Sequence, residues 1–259
     1  MTESKATNEP KVRIRGLSKA FRDNGHAGVE VLDNVDLDVR AGEFMCLLGP
    51  SGCGKSTLLN VLGGFERFDA GTVAIDGAPV AGPDPRRVFV FQEYGIFPWM
   101  SVWDNIAFGL ASRSSDDKHR ITDHYIELVG LKGFERTFPQ QLSGGMRQRV
   151  AVARALAVDP DILYMDEPFA AVDSLTRLKL RSELIRIWQQ EKKTILFVTH
   201  DIDESAQLAQ RVVVMSTRPA RIKTIVDLSD LPYPRDIDSP EYIRARDRLF
   251  AEMGVSTRV

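Results

Sequence analysis

The chain has 259 residues, 34 basic and 36 acidic side chains, a formal net charge of −2 and 43% hydrophobic residues. That supplies a core for one large or two modest domains. The near-neutral balance gives no support to binding nucleic acid or an anionic lipid surface, both of which rest on basic surface. No run approaches the ~18 apolar residues of a spanning helix, and the polar Met1–Lys11 lacks a signal-peptide apolar region. The two cysteines, Cys46 and Cys53, are too few for a disulfide framework and read as reduced thiols.

In chain order, Val12-Arg13-Ile14, Val35-Asp36-Leu37-Asp38-Val39 and Thr72-Val73-Ala74-Ile75-Asp76-Gly77 alternate apolar and polar residues. That pattern predicts half-exposed antiparallel strands. Phe44–Leu48 is continuously apolar, runs into a glycine-rich loop and is followed by a helical segment at Lys55–Leu62. Helical patterns then fill roughly 93–157, interrupted by the hydrophilic Ser112–Lys118. Ile162–Met165 and Thr194–Val198 are again continuously apolar, which suits parallel strands covered on both faces. Between them, Leu180, Leu184, Ile187 and Trp188 fall on one face of a helix within Asp173–Gln190. After Arg218-Pro219 the pattern reads as less regular, ending in a helix that starts near Ser239-Pro240-Glu241 and stops at Gly254. Strand–helix alternation gives an α/β class.

Gly49-Pro50-Ser51-Gly52-Cys53-Gly54-Lys55-Ser56-Thr57 has the spacing of a phosphate-binding loop, placed between a strand and a helix. Its glycines let backbone N–H groups converge on phosphate oxygens at the positive end of the following helix. Lys55 reaches the β- and γ-phosphates in such loops, and the Ser56 hydroxyl coordinates Mg2+. The ligands expected here are therefore ATP and Mg2+. Asp166 and Glu167 close an apolar strand, at the edge of a parallel sheet where ligands bind. Beside Mg2+·ATP, Asp166 is read as a metal-shell carboxylate and Glu167 as the group that orients or deprotonates the attacking water. His200 directly follows another such strand and is read as a γ-phosphate and water contact. Leu142-Ser143-Gly144-Gly145-Met146 offers a second anion-binding amide cluster at a helix start, with no lysine of its own.

With these motifs in this order, the sequence resembles the ATP-binding subunit of an ABC transporter over nearly its whole length. The resemblance implies a P-loop NTPase core with a mostly parallel, RecA-like sheet, an N-terminal antiparallel β subdomain and an inserted α-helical subdomain. The corresponding boundaries are 11–92 and 157–220 for the core, 93–156 for the helical part and 221–259 for a short tail. It implies two copies closing head to tail, with ATP between one copy's phosphate loop and the other's Ser143, Gly144 and Gly145. Gln92 then contacts the metal and the water, Asp173 signals across the dimer, and Phe21 stacks on adenine. Met146 stands where glutamine is usual, and Ala170-Ala171-Val172-Asp173 lacks a serine common in that loop.

Residues Phe91–Leu110, including Pro98-Trp99, together with the methionine at 146, look most like importers of nitrate, sulfonates and taurine. This branch implies two transmembrane permease subunits docking near 93–105, a solute-binding protein, and a place on the cytoplasmic face of the inner membrane. The chain leaves no room for a large C-terminal regulatory domain, which favours a minimal importer ATPase. The competing readings are an exporter ATPase and a soluble mechanochemical ATPase acting on DNA or ribosomes. The latter is disfavoured by the lack of a heptad insertion and of a basic stripe.

Overall fold

Alternation at the N-terminus becomes an antiparallel sheet. Strand β1 (Val12–Phe21) pairs with β2 (Val29–Val39), placing Val12 opposite Val39 and Phe21 opposite Val29. Val12 and Ile14 are buried while Arg13 and Arg15 face solvent, and Arg15 reaches Asp38 across the pair at 2.6 Å. On its other side β1 pairs with β4 (Ala70–Ile75), which turns at Asp76-Gly77, both at positive φ, into β5 (Ala78–Pro79). Two consecutive left-handed residues fit a tight hairpin turn. The computed structural model describes residues 9–22, 28–91, 95–170 and 172–255.

The continuous apolar runs form the second sheet. Strands β3 (Phe44–Leu48), β6 (Arg87–Val90), β7 (Ile162–Asp166), β8 (Thr194–Thr199) and β9 (Arg211–Met215) are mutually parallel in the order β9-β3-β8-β7-β6. Their side chains divide by period two. Met45, Leu47, Tyr164, Leu196 and Val198 face helix α1 (Lys55–Gly63) and, beyond it, Ile14 and Leu37 of the antiparallel sheet. Phe44, Cys46, Leu163, Met165 and Phe197 face the opposite way. There they pack with residues of α4 (Gly144–Ala157), α5 (Ser174–Glu191) and α6 (Ile202–Leu208). Both thiols are buried and unpaired.

Between β6 and β7 lie α2 (Val102–Ala107), a 3-10 turn at Phe108–Leu110, α3 (Ser115–Leu128), a second 3-10 turn at Pro139–Gln141, and α4. The hydrophilic stretch Ser112–Lys118 is not only an interruption. Ser114 accepts a hydrogen bond from the Asp117 N–H and starts α3 within it, and Asp116 and Asp117 suit the positive end of that helix. Fully buried Asn105 staples the preceding turn, donating to Phe97, Met100 and Ser101 carbonyls and accepting from the Phe97 N–H.

The region after Pro219 is more regular than its pattern predicts. β10 (Ile222–Asp227) adds antiparallel to β9 as an edge strand. Helix α7 (Pro240–Glu252) follows, capped by Ser239 through the Tyr242 N–H and buried through Tyr242 and Leu249.

Candidate functional site

The loop between β3 and α1 wraps around its own lysine. Lys55 is 4% exposed, and its Nζ donates to the Gly49 carbonyl at 2.7 Å and the Pro50 carbonyl at 2.8 Å. Gly54 caps α1 at φ +128°, and a Cβ there would fall 2.9 Å from Cγ1 of Val31, so neither the backbone nor the space admits a side chain. Cys53 is buried within the loop, whereas Ser51 and Gly52 are exposed. An open cavity of about 310 Å3 lies over the loop, lined by Phe21, Val29, Val31, Gly52, Gly54, Lys55, Ser56, Thr57, Glu167 and Arg218. Phe21 is 43% exposed at its edge, with Lys19 Nζ 4.7 Å from the ring centroid.

Parallel pairing brings the ends of β7 and β8 beside this loop. Burial pushes the Asp166 carboxyl above its ordinary range, partly offset by a hydrogen bond from Ser56 and the charge of Lys55. Glu167 sits at φ 44°, with its N–H on the Val198 carbonyl at 3.0 Å. A left-handed glutamate costs on the order of 1 kcal/mol, which the surrounding strands must hold in place. Its Oε2 lies 3.0 Å from Nδ1 of His200.

Behind His200 is a buried ionic cluster. The Thr199 hydroxyl donates to Glu204 at 2.6 Å, and Asp201 caps α6 by accepting from the Glu204 N–H at 2.9 Å. Arg181 Nη2 reaches Asp201 and Glu204, each at 3.1 Å. Arg177 donates to the Val172 carbonyl at 3.0 Å, beside Asp173.

Ser143, Gly144, Gly145 and Asp173 are not among the residues that line the cavity. Ser143 caps α4 by accepting from the Met146 N–H at 3.3 Å, and half-buried Gly144 follows it. Gly145 is buried, and a Cβ there would fall 2.4 Å from Cγ2 of Thr176, so its absence lets α4 approach the start of α5. Asp173 caps α5 through the Thr176 N–H at 3.0 Å, which holds its carboxyl below the usual range. Gln92 lies outside the described residues. Sequence reading missed Arg218, which carries no motif. It also missed Arg181 and Glu204, although Asp201 and Glu204 have the spacing of a helix cap and its third residue.

A family model described as ABC transporter matches residues 32–170. The chain belongs to the ABC transporter family. An ABC transporter ATP-binding protein of Methanocaldococcus jannaschii is 48% identical over 241 residues, covering 92% of this chain and 90% of that protein. An aliphatic sulfonates import ATP-binding protein of Bacillus cereus is 42% identical, covering 93% and 95%. Among solved structures, a dimeric ATP-binding cassette in a post-hydrolysis state with ADP and Pi matches at TM-score 0.72 and 31% identity, covering 84% of this chain and 98% of that one. A cassette from an ABC transporter complex of Clostridium perfringens shares the fold at TM-score 0.76 and 23% identity, covering 93% and 96%. The chain is thus an ATP-binding cassette with ATPase chemistry, and its α/β P-loop fold is that of the family. Among the described residues no helix is long and apolar enough to cross a membrane.

Proposed function

We propose that this cassette is the ATP-hydrolysing subunit of an importer for a small anionic solute of the nitrate, sulfonate and taurine class. The observation that carries the hydrolytic part is the Glu167–His200 contact of 3.0 Å at a strand edge beside the phosphate loop. The phosphates lie on the loop amides at the start of α1, where Lys55 exchanges its two loop carbonyls for phosphate oxygens. Glu167 orients and deprotonates the attacking water, and His200 holds the Glu167 carboxylate while facing the γ-phosphate.

The donor set suits Mg2+. Ser56 and Asp166 offer a hydroxyl and a carboxylate within interacting reach of each other. Among the described residues no cluster of three or more ligating side chains is present. A cation that keeps waters and takes phosphate oxygens needs none. Bound there with Gln92, it would neutralise phosphate charge.

The start of α4, with Ser143, Gly144 and Gly145, serves the nucleotide of a second copy in a head-to-tail dimer. None of the three lines the chain's own phosphate cavity, and a 31%-identical cassette assembles as a dimer, which together support this. Asp173 and Phe21 keep their roles at the dimer seam and on adenine. Permease subunits dock near 93–105. In support, Trp99 is 69% exposed beside a groove lined by Gly95, Phe97, Phe108 and Arg154. A solute-binding protein completes the assembled transporter, and this subunit sits at the cytoplasmic face of the inner membrane through its permease contacts. The importer reading draws on relatives named for aliphatic sulfonate import.

Replacing Glu167 with Gln is expected to cut ATP turnover by about 10²–10⁴-fold while ATP binding persists and a dimer accumulates in size-exclusion chromatography. Normal turnover by that variant would remove Glu167 from its role. In proteoliposomes with its permease, ATPase activity is expected to rise on adding solute-binding protein loaded with an alkanesulfonate, taurine or nitrate. Stimulation by DNA or ribosomes instead would favour the soluble mechanochemical reading.

A further inference from the structure

Along the edge of the parallel sheet where the site lies, the order of strands fixes the order of functional groups. Arg218 follows β9, the phosphate loop follows β3, His200 follows β8, and Asp166 ends β7 with Glu167 directly after it, with β3 between β9 and β8. The phosphate loop is therefore flanked on one side by the groups read as hydrolytic and on the other by an arginine that no motif marks.

The position of Arg218 is set by the fold. The turn that carries it is closed by the Ser216 N–H on the Arg221 carbonyl at 2.9 Å and by the Arg221 N–H on the Ser216 hydroxyl at 2.9 Å. It is tied to the antiparallel sheet by the Ala220 N–H on the Val31 carbonyl at 2.8 Å, by the Asp33 N–H on the Ala220 carbonyl at 3.1 Å, and by an Arg221–Asp33 ion pair. From this anchored turn the guanidinium crosses to the phosphate loop, where Nε and Nη2 both donate to the Gly52 carbonyl, at 3.2 and 2.6 Å. One acceptor occupies one edge of a group with five N–H donors. The side chain also lines the cavity that holds Lys55, Thr57 and Phe21.

We infer that Arg218 is a nucleotide-binding residue that donates to the nucleoside-proximal part of the bound nucleotide, the part ATP and ADP share. The γ-phosphate belongs on the Glu167 and His200 side of the loop. The turn that carries Arg218 is bonded to β2 at Val31, and β2 supplies Val29, which pairs with Phe21, to the lining of the same cavity. Its charge supplements Lys55 at the opposite end of the polyphosphate, and its hold on Gly52 keeps the loop in register with the antiparallel sheet. The inference rests on the phosphate-loop reading.

The test is isothermal titration of the whole chain with Mg·ATP and Mg·ADP, comparing wild type, Arg218→Gln and Arg218→Lys, the ATP titrations in a Glu167→Gln background. For Arg218→Gln, Kd is expected to rise by about tenfold for both nucleotides, the size of one charge-assisted hydrogen bond. In the Glu167 parent, KM rises in step while kcat at saturating ATP holds. Arg218→Lys is expected to recover part of the loss equally for both. An unchanged Kd, a loss confined to ATP, or a fall in kcat at unchanged Kd would each overturn the assignment. Should Arg218→Gln fail to fold, Arg218→Lys carries the test, with a smaller but again equal loss. If wild type itself binds neither nucleotide, it is the phosphate-loop reading that fails.

Discussion

Arg181 is the keystone of the ionic cluster behind His200, and its removal has a calculable cost. Its side chain is 6% exposed, and one guanidinium nitrogen serves Asp201, 29% exposed, and Glu204, 6% exposed, each at 3.1 Å. Substituting Met keeps most of the stem's packing but leaves Glu204 buried without its nearest cation. Breaking one side of a buried pair costs about 3–5 kcal/mol. Here Glu204 keeps the Thr199 hydroxyl at 2.6 Å and a longer contact to Arg177 at 3.8 Å, which argues for the lower end. A loss of ~3 kcal/mol in a chain of this size lowers Tm by roughly 6–12 °C. Urea unfolding followed by tryptophan fluorescence reads it, with buried Trp188 reporting from the same helix. Pairing Arg181→Met with Glu204→Gln is expected to recover part of the loss, giving a coupling energy of about 1–2 kcal/mol. A single-variant loss below ~1 kcal/mol, or strict additivity, would show that solvent already screens the cluster and would refute the reasoning.

Gly145→Ala is expected to destabilise the chain by about 1–3 kcal/mol through overpacking. Thr176→Ser, which removes the methyl 2.4 Å from the new Cβ, should restore most of it in the double variant. For Asp166 the raised pKa means that the folded chain binds its proton more tightly than the unfolded chain. The resulting stability is present below the ordinary value of 3.8 and is lost as pH rises through the raised value. Asp166→Asn should therefore raise the Tm of the unliganded chain near about pH 7.5, the gain closing below about pH 4; a pH-independent difference would contradict this. Phe21→Ala should weaken ATP and GTP binding alike by about 2–10-fold, the worth of one aromatic stack, and Phe21→Trp should restore it in the same titration.

Much of the fold was legible because burial on both faces leaves a plain signature. Phe44–Leu48, Ile162–Met165 and Thr194–Val198 have no polar residue to interrupt them, and each became a central strand with its ends at the site. The α5 stripe of Leu180, Leu184, Ile187 and Trp188 is buried as its spacing implies. β10 was missed because an edge strand needs no clean alternation: of Ile222–Asp227 only Val226 is fully buried. Seven-residue α6 is too short for periodicity to mark, and α3 begins among charges because it exposes most of its surface. In the candidate site, the strict chemistry and fixed spacing of Lys55, Asp166, Glu167 and His200 singled out residues that the fold gathers at one sheet edge. Arg218 was not singled out, because its place depends on strand order rather than on neighbours in sequence. Ser143 and Asp173 have a local task as helix caps that any sequence with those caps would share.

Helix α1 carries the phosphate loop at its first turn and is packed on both sides, against the parallel sheet and against the antiparallel one. Leu58, Leu59 and Leu62 have no solvent-facing route by which the helix could loosen alone. Its backbone amides should then exchange with solvent only when the whole domain opens, whereas mostly exposed α3 and α7 exchange through cheaper local openings. At the proposed site the nucleotide would rest on a helix whose leucines are enclosed between two sheets, and the rearrangements that accompany turnover would fall to the segments around it.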